Sequence, residues 1–296
     1  MRNNRDRVLG TKKKPGIEDG SSVAAAAQQS NVEQAQMISN KQSFDFPSPS
    51  ELVRLPSGGE FYPPEHPLHN VETIEIRFMT AKDEDILTNK TFIKENLVVD
   101  KLLQSLIVDK RIDPKTLLSG DRNAILLASR VSAFGSDYKV KITCPSCYKQ
   151  GEQIFDLSLV EHKEQCDLEQ EEILLTDENH FEVTLPRTKA KFKFKLLNGQ
   201  DDFDILDTIN KREKKGYPRN ATVTSLDFMT VSVNGSTSRA NIYPFLENLP
   251  TYDARFIREV YSKVAPDIEM KQAFSCPNCN HEQEVDIPIT VDFFWS

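Results

Sequence analysis

Two short cysteine pairs, Cys144-Pro-Ser-Cys147 and Cys276-Pro-Asn-Cys279, constrain this chain more than any other feature. Together Cys144, Cys147, Cys276 and Cys279 supply four thiolates, the donor set of a closed, tetrahedral structural Zn2+ site that leaves no open position for a substrate. With 128 residues between Cys147 and Cys276, a single ion held by both knuckles ties two distant parts of the chain together. That pattern points to a metal-stapled structural or interaction protein before it points to an enzyme. The competing readings are knuckles closed by strand packing alone, or two independent dithiols. A thioredoxin-like redox role is disfavoured, because Pro follows the first Cys in both turns and neither pair opens a helix after a strand. Cys166 stands apart in a Glu/Gln-rich stretch and reads as a free thiol.

Composition narrows the setting. A net charge of -8 excludes a generally basic nucleic-acid footprint. No run approaches eighteen apolar residues, so no membrane-spanning helix is expected. Met1 to Gly10 lacks the apolar core of a signal peptide. The expected setting is a reducing cytoplasm, where C-x-x-C pairs mean metal or redox chemistry more often than disulfides.

Along the chain, residues 1–46 read as a disordered arm, basic at Arg2, Arg5, Arg7 and Lys12 to Lys14 and then rich in Gly, Ser, Ala, Gln and Asn. The arm is either a solvated tail or a segment that touches an acidic surface or nucleic acid. A folded region, 47–296, follows. Its first part, 47–160, contains an alternating strand at Ile74, Ile76 and Phe78 and a helix start at Lys82 to Asp85. An amphipathic helix follows on Val99, Leu102, Leu103, Leu106 and Ile107, then a helix from Gly120-Asp121 to Gly135. Strands then enter and leave the first knuckle. Residues 161–180 read as an acidic surface connector. The second part, 181–296, has strands at Phe181 to Leu185 and Phe192 to Leu196 and helices near Phe203 to Arg212 and Phe256 to Val264. Thr222 to Met229 is ambiguous between helix and strand, and strands again flank the second knuckle.

The second part echoes the first. Leu55-Pro56 corresponds to Leu185-Pro186, and Asp83-Glu84-Asp85-Ile86-Leu87 to Asp202-Phe203-Asp204-Ile205-Leu206. Asp121 precedes Cys144 by 23 residues, and Asp253 precedes Cys276 by 23. The expected fold is α+β: internally duplicated strand-helix-strand units packed about a pseudo-twofold axis and joined by a two-knuckle, zinc-ribbon-like element.

Other chemistry is sparse. His66, His69, His162, His180 and His281 are scattered; His281 is either a spare ligand beside Cys279 or a surface residue. Asp83, Glu84 and Asp85 are explained by helix-start charge. Ser57-Gly58-Gly59 lacks the Lys-Ser/Thr of a phosphate loop. No nucleophile and base pair is visible. Phe293-Phe294-Trp295 either closes the core or anchors in a partner.

Several segments carry a family resemblance: Leu55-Pro56-Ser57-Gly58-Gly59-Glu60-Phe61-Tyr62, Met79 to Leu87, Gly120-Asp121-Arg122, Tyr138 to Cys147, and the ending Ile287-Pro288 through Trp295. They resemble the baseplate hub proteins of T4-like contractile-tailed bacteriophages, over roughly residues 50–296. The resemblance implies a non-enzymatic part or assembly factor of the tail baseplate hub, made in the infected bacterial cytoplasm and carried in the virion tail if it is a permanent component. Implied partners are other hub and tail proteins, with the tape-measure protein a further candidate; the charge balance and the lack of a long apolar run argue against nucleic acid and membrane. It transfers no catalytic residue, and the metal assignment stays with the cysteine spacing. The alternative is a zinc-ribbon nucleic-acid-binding adaptor, motivated by the C-x-x-C pairs and the basic arm, although Glu282, Glu284 and Asp286 follow the second knuckle.

Overall fold

The first folded residues alternate in character, as a hairpin with one buried face requires. Strand β1 (Ser50–Arg54) pairs antiparallel with β2 (Thr73–Arg77), burying Val53, Ile74 and Ile76. Between them the Leu55 to Gly59 turn needs glycine at its end: Gly59 sits at φ +81°, and a Cβ there would meet the Val71 nitrogen at 2.4 Å. The computed structural model describes residues 49–287 and 291–295. The arm expected over 1–46, and Pro288 and Ile289 beyond the second knuckle, lie outside the described residues.

Helices α1 (Ala81–Leu87), α2 (Lys90–Lys94), α3 (Val98–Leu106) and α4 (Ser119–Phe134) follow β2. The i, i+4 stripe of α3 buries Val98, Leu102, Leu103 and Leu106. Helix α4 ends where Gly135 adopts φ +85°. Strands β3 (Asp137–Thr143) and β4 (Gln150–Asp156) form the first knuckle hairpin. A four-stranded antiparallel sheet then runs β5 (Leu174–Leu175), β6 (Phe181–Thr184), β7 (Lys191–Phe194) and β8 (Thr230–Val233), in that spatial order. Helices α5 (Gly199–Lys214) and α6 (Ala221–Met229) connect β7 to β8. Helices α7 (Arg239–Glu247) and α8 (Thr251–Val264) lead to the second knuckle hairpin, β9 (Lys271–Ser275) and β10 (Glu282–Asp286). The mixture of helices and small antiparallel sheets is the expected α+β class.

Two expectations change. Residues 161–180 are more than a surface connector: β5 extends the four-stranded sheet, and Ile173 is buried in the core. Apolar Leu168, Ile173, Leu174 and Leu175 are diluted by Glu and Gln, which hides the pattern in the sequence. The ambiguous Thr222 to Met229 is helical, with Leu226 and Met229 buried three positions apart.

One core cluster draws on both halves of the folded chain, which belongs to one compact unit, 48–296. The start of α4 lies against the start of α5: the Ser119 N–H donates to the Leu197 carbonyl at 3.1 Å and the Gly199 N–H to the Leu117 carbonyl at 2.9 Å. Elsewhere Lys163 N–H donates to the Asp267 carbonyl and Glu269 N–H to the Glu161 carbonyl. Arg130, on α4, donates from Nε to the Phe293 carbonyl at 3.0 Å and from its other nitrogens to Gly135 and Asp137 carbonyls. That fastens the chain end to the helix, so Phe293 and Phe294 close the core while Trp295 stays half exposed.

Matching local devices occur in both halves. Asp121, the third residue of α4, accepts from the Ser57 N–H at 3.0 Å, Ser57 Oγ at 2.6 Å and Tyr62 Oη at 2.7 Å. Asp253, the third residue of α8, accepts from the Arg187 and Thr188 N–H groups at 2.8 and 2.9 Å and from Thr188 Oγ1 at 2.8 Å. Each carboxylate is wholly buried and holds the turn after a Leu-Pro pair. Asp83 and Asp201, the third residues of α1 and α5, each complete a capping box, with Thr80 and Asn198, so the structural counterpart of Asp83 is Asp201 and not the Asp202 expected from the sequence. Each also pairs with a cation six residues before it, Arg77 or Lys195, at 2.8 Å.

Candidate metal centre

Each knuckle is the turn of a hairpin whose strands hold its ends in register. In the first, the Cys144 N–H donates to the Lys149 carbonyl at 3.0 Å and the Tyr148 N–H to the Cys144 carbonyl at 2.9 Å. In the second, the Cys276 N–H donates to the His281 carbonyl and the Asn280 N–H to the Cys276 carbonyl, both at 2.9 Å. The residue after the second cysteine is left-handed in both turns, Tyr148 at φ +58° and Asn280 at φ +53°. The two turns therefore present their cysteines in the same way. The hairpins meet side by side: Gln272 Nε2 donates to the Asp156 carbonyl at 2.8 Å, and a Cβ on Gly151 would lie 3.4 Å from the Pro277 ring.

This packing brings together all four cysteines singled out by their spacing. Their sulfurs lie within 4.8 Å of one another. Cys144 Sγ is 3.7 Å from Cys279 Sγ, and Cys147 Sγ is 3.7 Å from Cys276 Sγ. The contacts are reciprocal, first cysteine of one knuckle to second cysteine of the other. A disulfide needs a separation of about 2.05 Å, so neither pair is bonded. Four sulfurs at about 2.3 Å from a central Zn2+ would be about 3.8 Å apart along each tetrahedral edge. The donor set and its spacing thus fit a tetrahedral thiolate site. The inner cysteines, Cys144 and Cys276, are buried with Phe274, and Cys279 faces solvent.

Electrostatics in the cluster favour an anionic sulfur. The backbone N–H groups of Asn278 and Cys279 draw the Cys276 thiol down to about 6. At Cys279 the His281 N–H favours the thiolate, but water lost on the side facing the cluster and the neighbouring sulfurs push the thiol up to about 11. One negative sulfur makes the next harder to form, the opposition that a divalent cation removes.

His281 contributes its backbone carbonyl to the second knuckle, and its ring is outside the sulfur cluster. Cys166 packs partly buried against the core, away from the cluster. A Ser57, Asp121 and Tyr62 trio was not recognisable as a group from sequence, since 64 residues separate Ser57 from Asp121. Ser57 and Asp121 are completely buried and their hydrogen bonds are spent on each other, so the trio is a structural lock.

A family model described as T4 bacteriophage base plate protein matches residues 50–295. The chain belongs to that baseplate family. No curated protein and no solved structure matches it. The match begins at β1 and runs past both knuckles of the baseplate-family protein to Trp295, so it takes in every element that positions the cysteines. Among the described residues, no helix is long and apolar enough to cross a membrane.

Proposed function

We propose that this baseplate-family protein is a non-enzymatic component or assembly factor of the tail baseplate hub, and that Cys144, Cys147, Cys276 and Cys279 hold one structural Zn2+. The observation that carries the baseplate part of this reading is the family match over residues 50–295. The segments resembling hub proteins, from Leu55 to Tyr62 and from Met79 to Leu87, supply the finer assignment. The protein acts by presenting rigid surfaces to other hub and tail proteins, the tape-measure protein among them. It does so in the cytoplasm of the infected bacterium during assembly, and in the tail if it stays in the particle.

Zinc suits the site because four thiolates satisfy a tetrahedral cation completely and leave no position for a substrate. The reciprocal 3.7 Å sulfur contacts support one shared ion over two separate dithiols. An internal duplication is supported by the two Leu-Pro turns held by Asp121 and Asp253, the two Asp-cation capping boxes and the two equivalent knuckles. In this reading one ion joins the two copies at their pseudo-twofold axis.

Coexpression with hub proteins of the same phage, followed by native pull-down, should give a defined complex. Absence of the protein from both tail intermediates and mature particles, together with normal tails when it is deleted, would overturn the reading. Purified protein should carry one equivalent of zinc. Less than half an equivalent, with four thiols reactive in the native state, would remove the metal from the proposal.

A further inference from the structure

Beyond its first turn, where α4 packs on it, one face of α5 borders open space. Gly199, Phe203, Leu206, Asn210 and Lys214 follow one another at helical spacing and all border open space. The opposite wall is α2 and the start of α3, joined near Gly199 by α4. Two adjoining cavities, about 350 and 600 Å3, share Asn96 and Phe203, so they form one trough along α5. From Gly199 to Lys214 the helix advances about 22 Å.

The two ends of the trough differ chemically. Near Gly199 the lining is mainly apolar, with Val99, Leu102, Phe203 and Leu206, and Leu206 is 47% exposed; its charged members are the Asp100–Arg122 ion pair and Asp202, which accepts from Ser119 Oγ. At the other end Lys90, Lys94 and Lys214 border the trough and make no ion pair among the described residues. Glu95 and Asp207 lie there too, but Asp207 is already paired with Lys211. Positive charge is therefore in excess at one end of an apolar groove, on a protein whose net charge is -8. The chain's own Glu-rich stretch is committed elsewhere: Ile173 is buried and Glu171 pairs with Lys263 at 2.6 Å. The same anchoring keeps that stretch of a second copy from serving as the occupant.

We infer that this trough docks an acidic amphipathic helix of a different protein, its apolar side chains over Phe203 and Leu206 and its carboxylates toward Lys90, Lys94 and Lys214. A groove of this shape reads a helix through apolar anchors one turn apart, and the lysines fix its direction. The inference rests on the reading of the protein as a docking scaffold and is independent of the metal.

The test places a photoreactive benzoylphenylalanine at position 206 of the full chain, made in phage-infected cells, with adducts mapped to peptides by mass spectrometry. The expected adduct lies within a net-acidic helical segment of another protein. The triple variant Lys90→Glu/Lys94→Glu/Lys214→Glu should reduce its yield by about tenfold, since three attractive pairs become repulsive. The control Lys82→Glu/Lys189→Glu, at exposed positions that line neither cavity, should leave the yield unchanged. Each of four outcomes overturns the inference: no protein adduct, an adduct only to another copy of this chain, an adduct to nucleic acid, or a yield indifferent to the lysine reversals. If the protein still enters tail intermediates while position 206 gives no adduct, the trough inference fails alone and the hub reading stands.

Discussion

Removing the metal should loosen the paired knuckle hairpins before it unfolds the domain. The reason lies in how little apolar surface the hairpins bury around the sulfurs. Among the described residues, the buried cluster there holds Phe274 besides Cys144 and Cys276, with Ile142 and Val285 partly buried against it. A fully buried Phe contributes about 3 kcal/mol. A structural Zn2+ contributes about 10–16 kcal/mol of apparent binding free energy in small peptides. The ion therefore outweighs the local packing even with Ile142 and Val285 counted. The large core is built from side chains such as Ile76, Leu102, Ile125 and Phe192, and Ile142 and Val285 pack between it and the sulfur cluster. Chelation of the purified full chain, or Cys276→Ala/Cys279→Ala, should abolish hydrogen-exchange protection at the knuckle ends of the hairpins, over 142–151 and 273–284, while the base of the first hairpin, where Tyr138 and Phe155 are buried in the core, keeps it. Protection in α4 and β7 should remain. X-ray absorption on the untreated protein should show four sulfur neighbours at about 2.3 Å. Unchanged protection of both hairpins after complete metal removal would refute the reasoning. So would simultaneous loss of protection everywhere, because the core would then depend on the staple.

Two further outcomes follow from buried contacts. Gly120→Ala would bring a Cβ to 1.9 Å from the Pro266 carbonyl oxygen, a backbone atom that cannot rotate away. It should cost about 3 kcal/mol or more, read as a lower urea midpoint; an unchanged midpoint would show that α4 can move freely from the turn after α8. Asp121→Ala deletes three hydrogen bonds in a dry site and should cost a similar amount, about 3 kcal/mol. The pH dependence separates Asp121 from its counterpart Asp253. Burial alone would raise Asp253, but hydrogen bonds from Thr188 and Arg187 hold it below the ordinary carboxylate value. Its contribution is thus present above about pH 4 and lost as pH falls through the folded value. Burial raises Asp121, whose effect has the opposite sign: stability declines as pH rises through its folded value. Urea unfolding from pH 3 to 8 should show a shallower acid loss in Asp253→Ala than in the parent, and equal acid limbs would contradict this account.

The cysteine spacing alone specified the donor set, because two sulfurs three residues apart on a turn are a local property that needs no tertiary context. Helical periodicity located α3 and α4, and alternation located β2, β3 and β7, since one-sided burial imposes those periods directly. The spacing of Asp121 and Asp253 before the knuckles was visible too, but it suggested only helix starts. What the carboxylates bind depends on a turn about 65 residues away in each case, and no local pattern encodes that pairing. The β5 strand was hidden for a related reason: two residues gain strand geometry only by adding to β6. Whether the two knuckles face each other at one ion's distance was likewise a matter for the tertiary fold. It depends on the packing of hairpins 128 residues apart in sequence, which sets the sulfurs 3.7 Å apart across the pair. The open trough beside α5 is legible only there as well, because an unfilled space belongs to the arrangement of helices and to no residue in particular.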